Sequence, residues 1–379
     1  VGMRPPVFFA LALLCAGPCS AFCPSPALFS AQKRHGRAQT WRMLILQGET
    51  PKFTSKDVAA NWQQPDAQGT FGKVFFGKQG LMGMGGQVVV KMPVNNAVNK
   101  KFAASIFATE KAVNRKLAAA YPNPRWAKYM GDIGFEPGEL PADLENIGLV
   151  FKREPGETME DMLLDRKDLS GKMGARDSGT VRPDLCRRVV GELLVSCTQM
   201  HGQGVIHRDI KPENIIVTGG GEPLKLIDFG SSCDVATGMG VNDISLDPTY
   251  APPEQRIQPN QAGKYDVYCV AMTGLRCLLP SFSKDPRPGI NERAGQTSLM
   301  MEFAESDFPR ANCQLQKWAL GVINGRGDRN LQDELDELFS GGNEDIIRVL
   351  DGMLQKQVAA RFDAGRALAE LGQPWAGKA

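Results

Sequence analysis

The stretch Val205-Ile-His-Arg-Asp-Ile-Lys-Pro-Glu-Asn214 constrains this chain more than any other, because it sets a carboxylate, an ammonium and a carboxamide in one short loop. Downstream, the strand-like run Leu224-Lys-Leu-Ile-Asp-Phe-Gly230 ends in a second carboxylate, Asp228. Oxygens of Asp and Asn suit a hard divalent cation, and a lysine beside them offers a mobile positive charge to phosphate. A lone loop Asp is usually a turn former and a lone Lys a solvated charge. The ordered spacing of Asp209, Lys211, Asn214 and Asp228 argues against coincidence.

This pair of segments resembles the catalytic and metal-binding loops of the eukaryotic protein kinases. The resemblance implies an α+β, bilobal fold, with a small β-rich N-lobe over residues 52–151 and a large α-rich C-lobe over 152–375. It implies ATP and Mg²⁺ as cofactors, Asp209 as the group that accepts the hydroxyl proton, Lys211 near the γ-phosphate, and Asn214 and Asp228 as metal ligands. Ala67-Gln-Gly-Thr-Phe-Gly-Lys-Val74 resembles the glycine-rich hairpin over the phosphates, which brings in Gly69, Thr70, Phe71, Gly72 and Val74, with Ala67 standing where the family has its first glycine. Lys91, at the end of Gln87-Val-Val-Val-Lys91, would hold the α- and β-phosphates, with Glu110 on the next helix as its counter-ion.

The same resemblance assigns supporting roles. Lys-Pro-Glu-Asn within the loop is the serine/threonine version of the motif. Thr249, in Thr249-Tyr-Ala-Pro-Pro-Glu254, would help place Asp209 and Lys211, while Glu254 would pair with Arg361 and Asp266 would bond the catalytic-loop backbone. His207 reads as a packing residue. Arg208 would meet a phosphate on the activation segment, with Ser231, Ser232, Thr237 and Ser245 as candidate sites.

Periodicity supports this order. The β-branched run 87–91 reads as a strand, 101–120 as a helix, Ile147 to Phe151 as a strand and Leu185 to His201 as an amphipathic helix. Residues 121–146, rich in Pro, Gly and acids, read as a loop or insertion, and 168–183 as a mobile insertion without apolar period. A composition of 42% hydrophobic and 23% charged residues is that of a globular protein, and a net charge of +2 gives no field for nucleic acid. The cysteines from Cys186 onward lack metal spacing and read as inert buried thiols.

The N-terminus reads as targeting sequence. Arg4 precedes the short apolar run 7–16, as in a secretory signal, and Phe22 to Gly48 carries Lys33, Arg34, Arg37 and Arg42 with no acid, as in a transit peptide. Such tandem leaders resemble those of algae with plastids of secondary origin, where the aromatic at the cleavage point, here Phe22, is read at import. Residues 1–48 are therefore expected to be removed. Plain secretion with a basic pro-segment is the alternative.

Leu246-Asp-Pro-Thr-Tyr-Ala-Pro-Pro-Glu-Gln255, Tyr265-Asp-Val-Tyr268 and Leu279-Pro-Ser-Phe282 look like the thylakoid state-transition kinases, which phosphorylate light-harvesting and photosystem proteins. That resemblance implies Ser/Thr-bearing protein substrates, a plastid setting in the stroma or at the thylakoid periphery, and peripheral thylakoid association. No apolar run of about 18 residues follows the leader to suggest a membrane span. A catalytically weak pseudokinase scaffold, suggested by Ala67, and a secreted or endomembrane kinase stand as alternatives.

Overall fold

The computed structural model describes residues 51–375 apart from 69–71, 81–82, 84, 95–99, 123–124, 166–167, 242–246, 255–256, 284–297, 326, 373 and the side chains of 100–102. The leader therefore lies outside the described residues, as do Gly69, Thr70, Phe71 and Ser245.

Among the described residues a seven-stranded sheet comes first, from β1 (Phe53–Thr54), β2 (Val58–Ala60), β3 (Ala67–Gln68), β4 (Gly72–Gln79), β5 (Gln87–Pro93), β6 (Tyr129–Gly134) and β7 (Ile147–Lys152). The order is β1-β6-β7-β5-β4-β2, with β3 paired to β4. Strand alternation decides what β5 offers each face. Val88, Val90 and Met92 point into a core with Phe75, Ile133 and Val150, so Lys91 emerges on the opposite side. On that side lies α1 (Lys100–Ala120), whose Phe107 packs on Leu149 and Phe151.

The segment 121–146, expected to be a loop or insertion, contains strand β6. It pairs antiparallel with β7 and parallel with β1. The sequence hides it because the register shifts between Tyr129 and Gly131. Gly131 sits at φ +144, and a Cβ there would lie 2.9 Å from the Lys52 side chain. Asp132 on this strand is buried, which its ion pairs with Lys111 (2.6 Å) and Arg115 (2.8 Å) and a hydrogen bond from the Tyr129 hydroxyl make tolerable.

A predominantly helical half follows. It runs through β8 (Glu157–Thr158), α2 (Met159–Leu164), α3 (Leu169–Met173), α4 (Pro183–Gly202), β9 (Val205–Ile206), β10 (Ile215–Val217), β11 (Lys225–Leu226), β12 (Cys233–Asp234) and α5 (Gly263–Leu278). Helices α6 (Leu315–Ile323), α7 (Arg329–Ser340), α8 (Glu344–Met353) and α9 (Ala364–Leu371) follow. Helix α5 is apolar nearly all round and buried from Tyr265 to Leu275, packing against α4 in the largest core. No helix of the described residues is long and apolar enough to cross a membrane.

The region 168–183, read as a mobile insertion, holds α3, with Asp168 accepting the Gly171 N–H (2.6 Å) and Leu169 buried. Asp177 then accepts the N–H groups of Asp184 (2.7 Å) and Leu185 (3.1 Å) at the start of α4. A five-residue helix is too short to show a period, so its N-cap acid, Asp168, is its only signal.

The two halves meet where residues 125–127 pair alongside β11, through Leu226 N–H to Arg125 O (3.1 Å) and Ala127 N–H to Leu226 O (2.8 Å). Buried Trp126 and Phe229 meet edge to face there, at 6.5 Å. This seam fixes the Asp228 loop beneath β5 and α1.

Candidate active site

The loop that carries Asp209 is shaped from behind. Asp266, fully buried on α5, accepts the N–H groups of His207 (2.9 Å) and Arg208 (2.7 Å) and contacts His201 Nε2 at 2.9 Å. Burial opposes its charge, but the His201 ring and these amides outweigh it and lower its pKa. This is the backbone role expected of Asp266. His207 packs its ring on Phe229 (centroids 4.7 Å) and approaches Ile227 O at 3.2 Å, in keeping with a packing residue.

Arg208 adopts φ 69, a left-handed conformation that costs about 1–3 kcal/mol. Its guanidinium repays that. Nε donates to Ser231 O (2.5 Å), Nη1 to Val241 O (3.2 Å), and Nη2 to Ser232 O (3.2 Å) and Gly240 O (2.7 Å). Each charge-assisted bond contributes about 1.5–3 kcal/mol, so the set exceeds the strain. The guanidinium expected to meet a phosphate on the activation segment grips that segment's own carbonyls.

Beyond this turn, Asn214 Nδ2 donates to Asp209 Oδ2 (2.8 Å) and to the Asp209 carbonyl (2.9 Å). Lys211 Nζ stands 3.2 Å from Asp209 Oδ1 and 3.1 Å from Asp247 Oδ2. Burial raises the Asp209 pKa, with Lys211 pulling against it. The Ile227 N–H donates to Asn214 O (2.9 Å), which seats the Asp228 loop against the Asp209 loop.

Asp228, at φ 60, directs Oδ1 to Lys91 Nζ (2.6 Å) and to its own turn at Gly230 N–H (3.0 Å). Desolvation opposes its charge, yet Lys91 and the Gly230 amide hold its pKa down to about 2. Lys91 also meets Glu110 at 3.0 Å (Oε1) and 2.8 Å (Oε2). Val74 lies directly across the ladder from Lys91, and Gly72 opposite Pro93, so the described end of the hairpin sits over the lysine.

The structure therefore brings Lys91, Glu110 and Asp228 into one cluster and Asp209, Lys211 and Asn214 into an adjoining one. Glu254 and Arg361 form a two-bond pair (2.5 and 2.7 Å). Thr249 differs from expectation: the contact to Lys211 comes from Asp247, and Thr249 supplies only its N–H to Asp247 Oδ1 (3.0 Å). Nothing local distinguishes Asp247 in the sequence. The cysteines from Cys186 onward are free and buried, and burial pushes the Cys233 thiol up to about 11, so it carries no thiolate near neutrality.

Residues 143–375 match the protein kinase domain family. The chain belongs to the protein kinases. Its fold is the bilobal kinase fold, a sheet-built N-lobe on a helical C-lobe. The chain is 28% identical over 249 residues to the chloroplastic serine/threonine-protein kinase STN7 of Arabidopsis thaliana, covering 59% of this chain and 40% of that protein. It is 29% identical over 162 residues to the chloroplastic serine/threonine-protein kinase STN8 of the same plant, covering 40% and 32%. The matches thus span less than half the length of those relatives. The crystal structure of a Stt7 homolog from Micromonas algae, soaked with ATP, superimposes with a TM-score of 0.64 at 21% identity, over 87% of this chain and 95% of that one. That likeness extends the kinase fold over the sheet half that precedes residue 143.

Proposed function

We propose that this kinase transfers the γ-phosphoryl group of ATP to Ser and Thr hydroxyls of proteins. The observation that carries the reading is the contact of Lys91 with both Glu110 and Asp228, because it draws the sheet, α1 and the Asp228 loop around one cleft. Phosphoryl transfer asks a protein chiefly to align the hydroxyl and neutralise phosphate charge. In this cleft Asp209 orients the acceptor hydroxyl and takes its proton, and Asn214 fixes the Asp209 carboxylate through Nδ2. Lys211 presents its ammonium to the transferred group, and Lys91 presents its own to the phosphates behind it. Gly72 and Val74, on β4 across from the Lys91 strand, face the phosphates, and the sequence motif assigns Gly69, Thr70 and Phe71 to the same phosphate-binding role.

The donor set fits Mg²⁺. With Asn214 Nδ2 turned to Asp209 and Asp228 Oδ1 turned to Lys91, Asn214 Oδ1 and Asp228 Oδ2 are the oxygens left to hold a hard cation. Held there, Mg²⁺ would supply positive charge to offset that of the phosphates.

The chloroplastic relatives and the tandem leader support a plastid setting, in the stroma or at the thylakoid periphery, with light-harvesting or photosystem proteins as substrates. Two measurements test the reading. The purified chain should phosphorylate a protein acceptor with Mg-ATP, and Asp209→Asn should lower the rate about 10²–10⁴-fold; a variant of undiminished activity refutes the assignment. A fluorescent fusion of residues 1–60 should enter the plastid, and delivery to the secretory route would refute the location.

A further inference from the structure

Three side chains that can ligate a metal converge behind the turn that leads to Asp209. Cys197 and His201 stand one helical turn apart on the same face of α4, and Asp266 reaches them from α5. Cys197 Sγ, a ring nitrogen of His201 and a carboxylate oxygen of Asp266 all lie within 4.8 Å of one another. His201 Nε2 is already 2.9 Å from Asp266 Oδ2. Cys197 and Asp266 are fully buried, whereas the His201 side chain keeps 17% exposure and gives the cluster a path to solvent. Gly263 makes room for that ring, since a Cβ there would lie 2.6 Å from His201 Nδ1. Spacing between cysteines hides such a group, because its other members are an imidazole and a carboxylate 65 positions beyond it.

From this geometry we infer that Cys197, His201 and Asp266 form a Zn²⁺ site whose occupancy loosens the turn that carries Asp209. Thiolate, imidazole and carboxylate are zinc donors, and three of them leave the fourth tetrahedral position to water. Mg²⁺ takes oxygen ligands in octahedral geometry and does not suit the set. Zinc bonds of about 2.0–2.3 Å hold the ligand atoms about 3.3–3.6 Å apart. The His201–Asp266 contact therefore opens by a few tenths of an ångström, and the thiol closes by about 1 Å at most. On binding, the thiol proton leaves to solvent, and the ring keeps its proton on Nδ1 with the Nε2 lone pair on the ion. Burial, reinforced by the Asp266 charge, holds the free thiol protonated, and a divalent cation reverses that balance. Two anionic ligands then match the charge of the ion.

The link to catalysis runs through Asp266. Its Oδ2 accepts the His207 N–H (2.9 Å) and its Oδ1 the Arg208 N–H (2.7 Å). A cation on this carboxylate draws charge from both acceptors, so the amides that shape the turn are held more weakly.

Co²⁺ serves as the spectroscopic probe, titrated into the full chain without nucleotide. The parent should develop the near-ultraviolet thiolate-to-metal band and the visible bands of a tetrahedral ion, and Zn²⁺ should displace them. Subtracting the Cys197→Ala spectrum removes any signal from the leader cysteines, and the difference should survive in Cys269→Ala, which lacks a neighbouring buried thiol on α5. Identical spectra for the parent and Cys197→Ala overturn the site.

Turnover tests the coupling, which rests on the kinase reading. With free Zn²⁺ buffered against excess Mg-ATP, and each rate referred to the same protein without zinc, the parent kcat should fall as Zn²⁺ rises. Cys197→Ala should need about tenfold more Zn²⁺ for half inhibition. Equal half-inhibitory concentrations overturn the coupling. A parent chain that transfers no phosphate would defeat the kinase reading, while the cobalt spectra would still decide on the site.

Discussion

The Lys91 ammonium lies 2.6 Å from the Asp228 carboxylate, a contact between residues 137 positions apart that joins the sheet to the catalytic lobe. Glu110 meets the same ammonium, so two carboxylates share one cation. Replacing Lys91 by Met leaves both acids facing each other without a counter-charge. Steady-state assays of Lys91→Met should show a loss in kcat of about 10²–10³-fold, the usual scale for removing a charge-stabilising donor.

Sharing one cation also sets a pH dependence. Burial, with Asp228 adding to it against Lys91, raises Glu110 from 4.5 to about 7, while Asp228 falls from 3.8 to about 2. The Glu110 proton therefore favours the folded state: its contribution is fully present below pH 4.5 and is lost as pH rises through about 7. Asp228 has the opposite sign, its contribution present above pH 3.8 and lost as pH falls through about 2. Melting temperatures between pH 4.5 and 7 should then decline with rising pH in the parent and flatten in Glu110→Gln. Identical slopes would remove Glu110 as the cause.

Arg208 makes the activation segment self-holding. Gly240, at φ +74, lets the chain pass so close that a Cβ there would lie 2.7 Å from Ser232 O and 2.8 Å from Thr109 Cγ2 on α1. Phosphatase treatment should accordingly leave kcat within about twofold, as should alanine at Ser231 and Thr237. A large loss on dephosphorylation would contradict the carbonyl grip. Arg208→Lys, with donors that cannot span four carbonyls, should cost about 2–3 kcal/mol in denaturant unfolding.

Asp266 carries the turn that makes Asp209 available. Asp266→Ala strands the buried N–H groups of His207 and Arg208, and urea unfolding should register a loss of about 3–5 kcal/mol. Activity should fall with it even in the folded fraction, since the Asp209 backbone loses its support. Retained stability would show that these amides find other acceptors.

The sequence alone determined the kinase class, because Asp209, Lys211, Asn214 and the Asp228 turn are fixed by local spacing, and local spacing dictates backbone turns. It likewise determined Lys91, which strand alternation places opposite the buried Val90 and Met92. It did not reveal strand β6, whose apolar period is broken by a bulge and by a buried acid paired to α1. Nor could it separate Asp247 from Thr249. Both are short polar residues in the same turn, and only the docking of that turn decides which one reaches Lys211. The same holds for Arg208, whose partners are backbone carbonyls that carry no residue identity at all. Motifs encode the shape of each loop, while the contacts between loops depend on how the lobes pack them together.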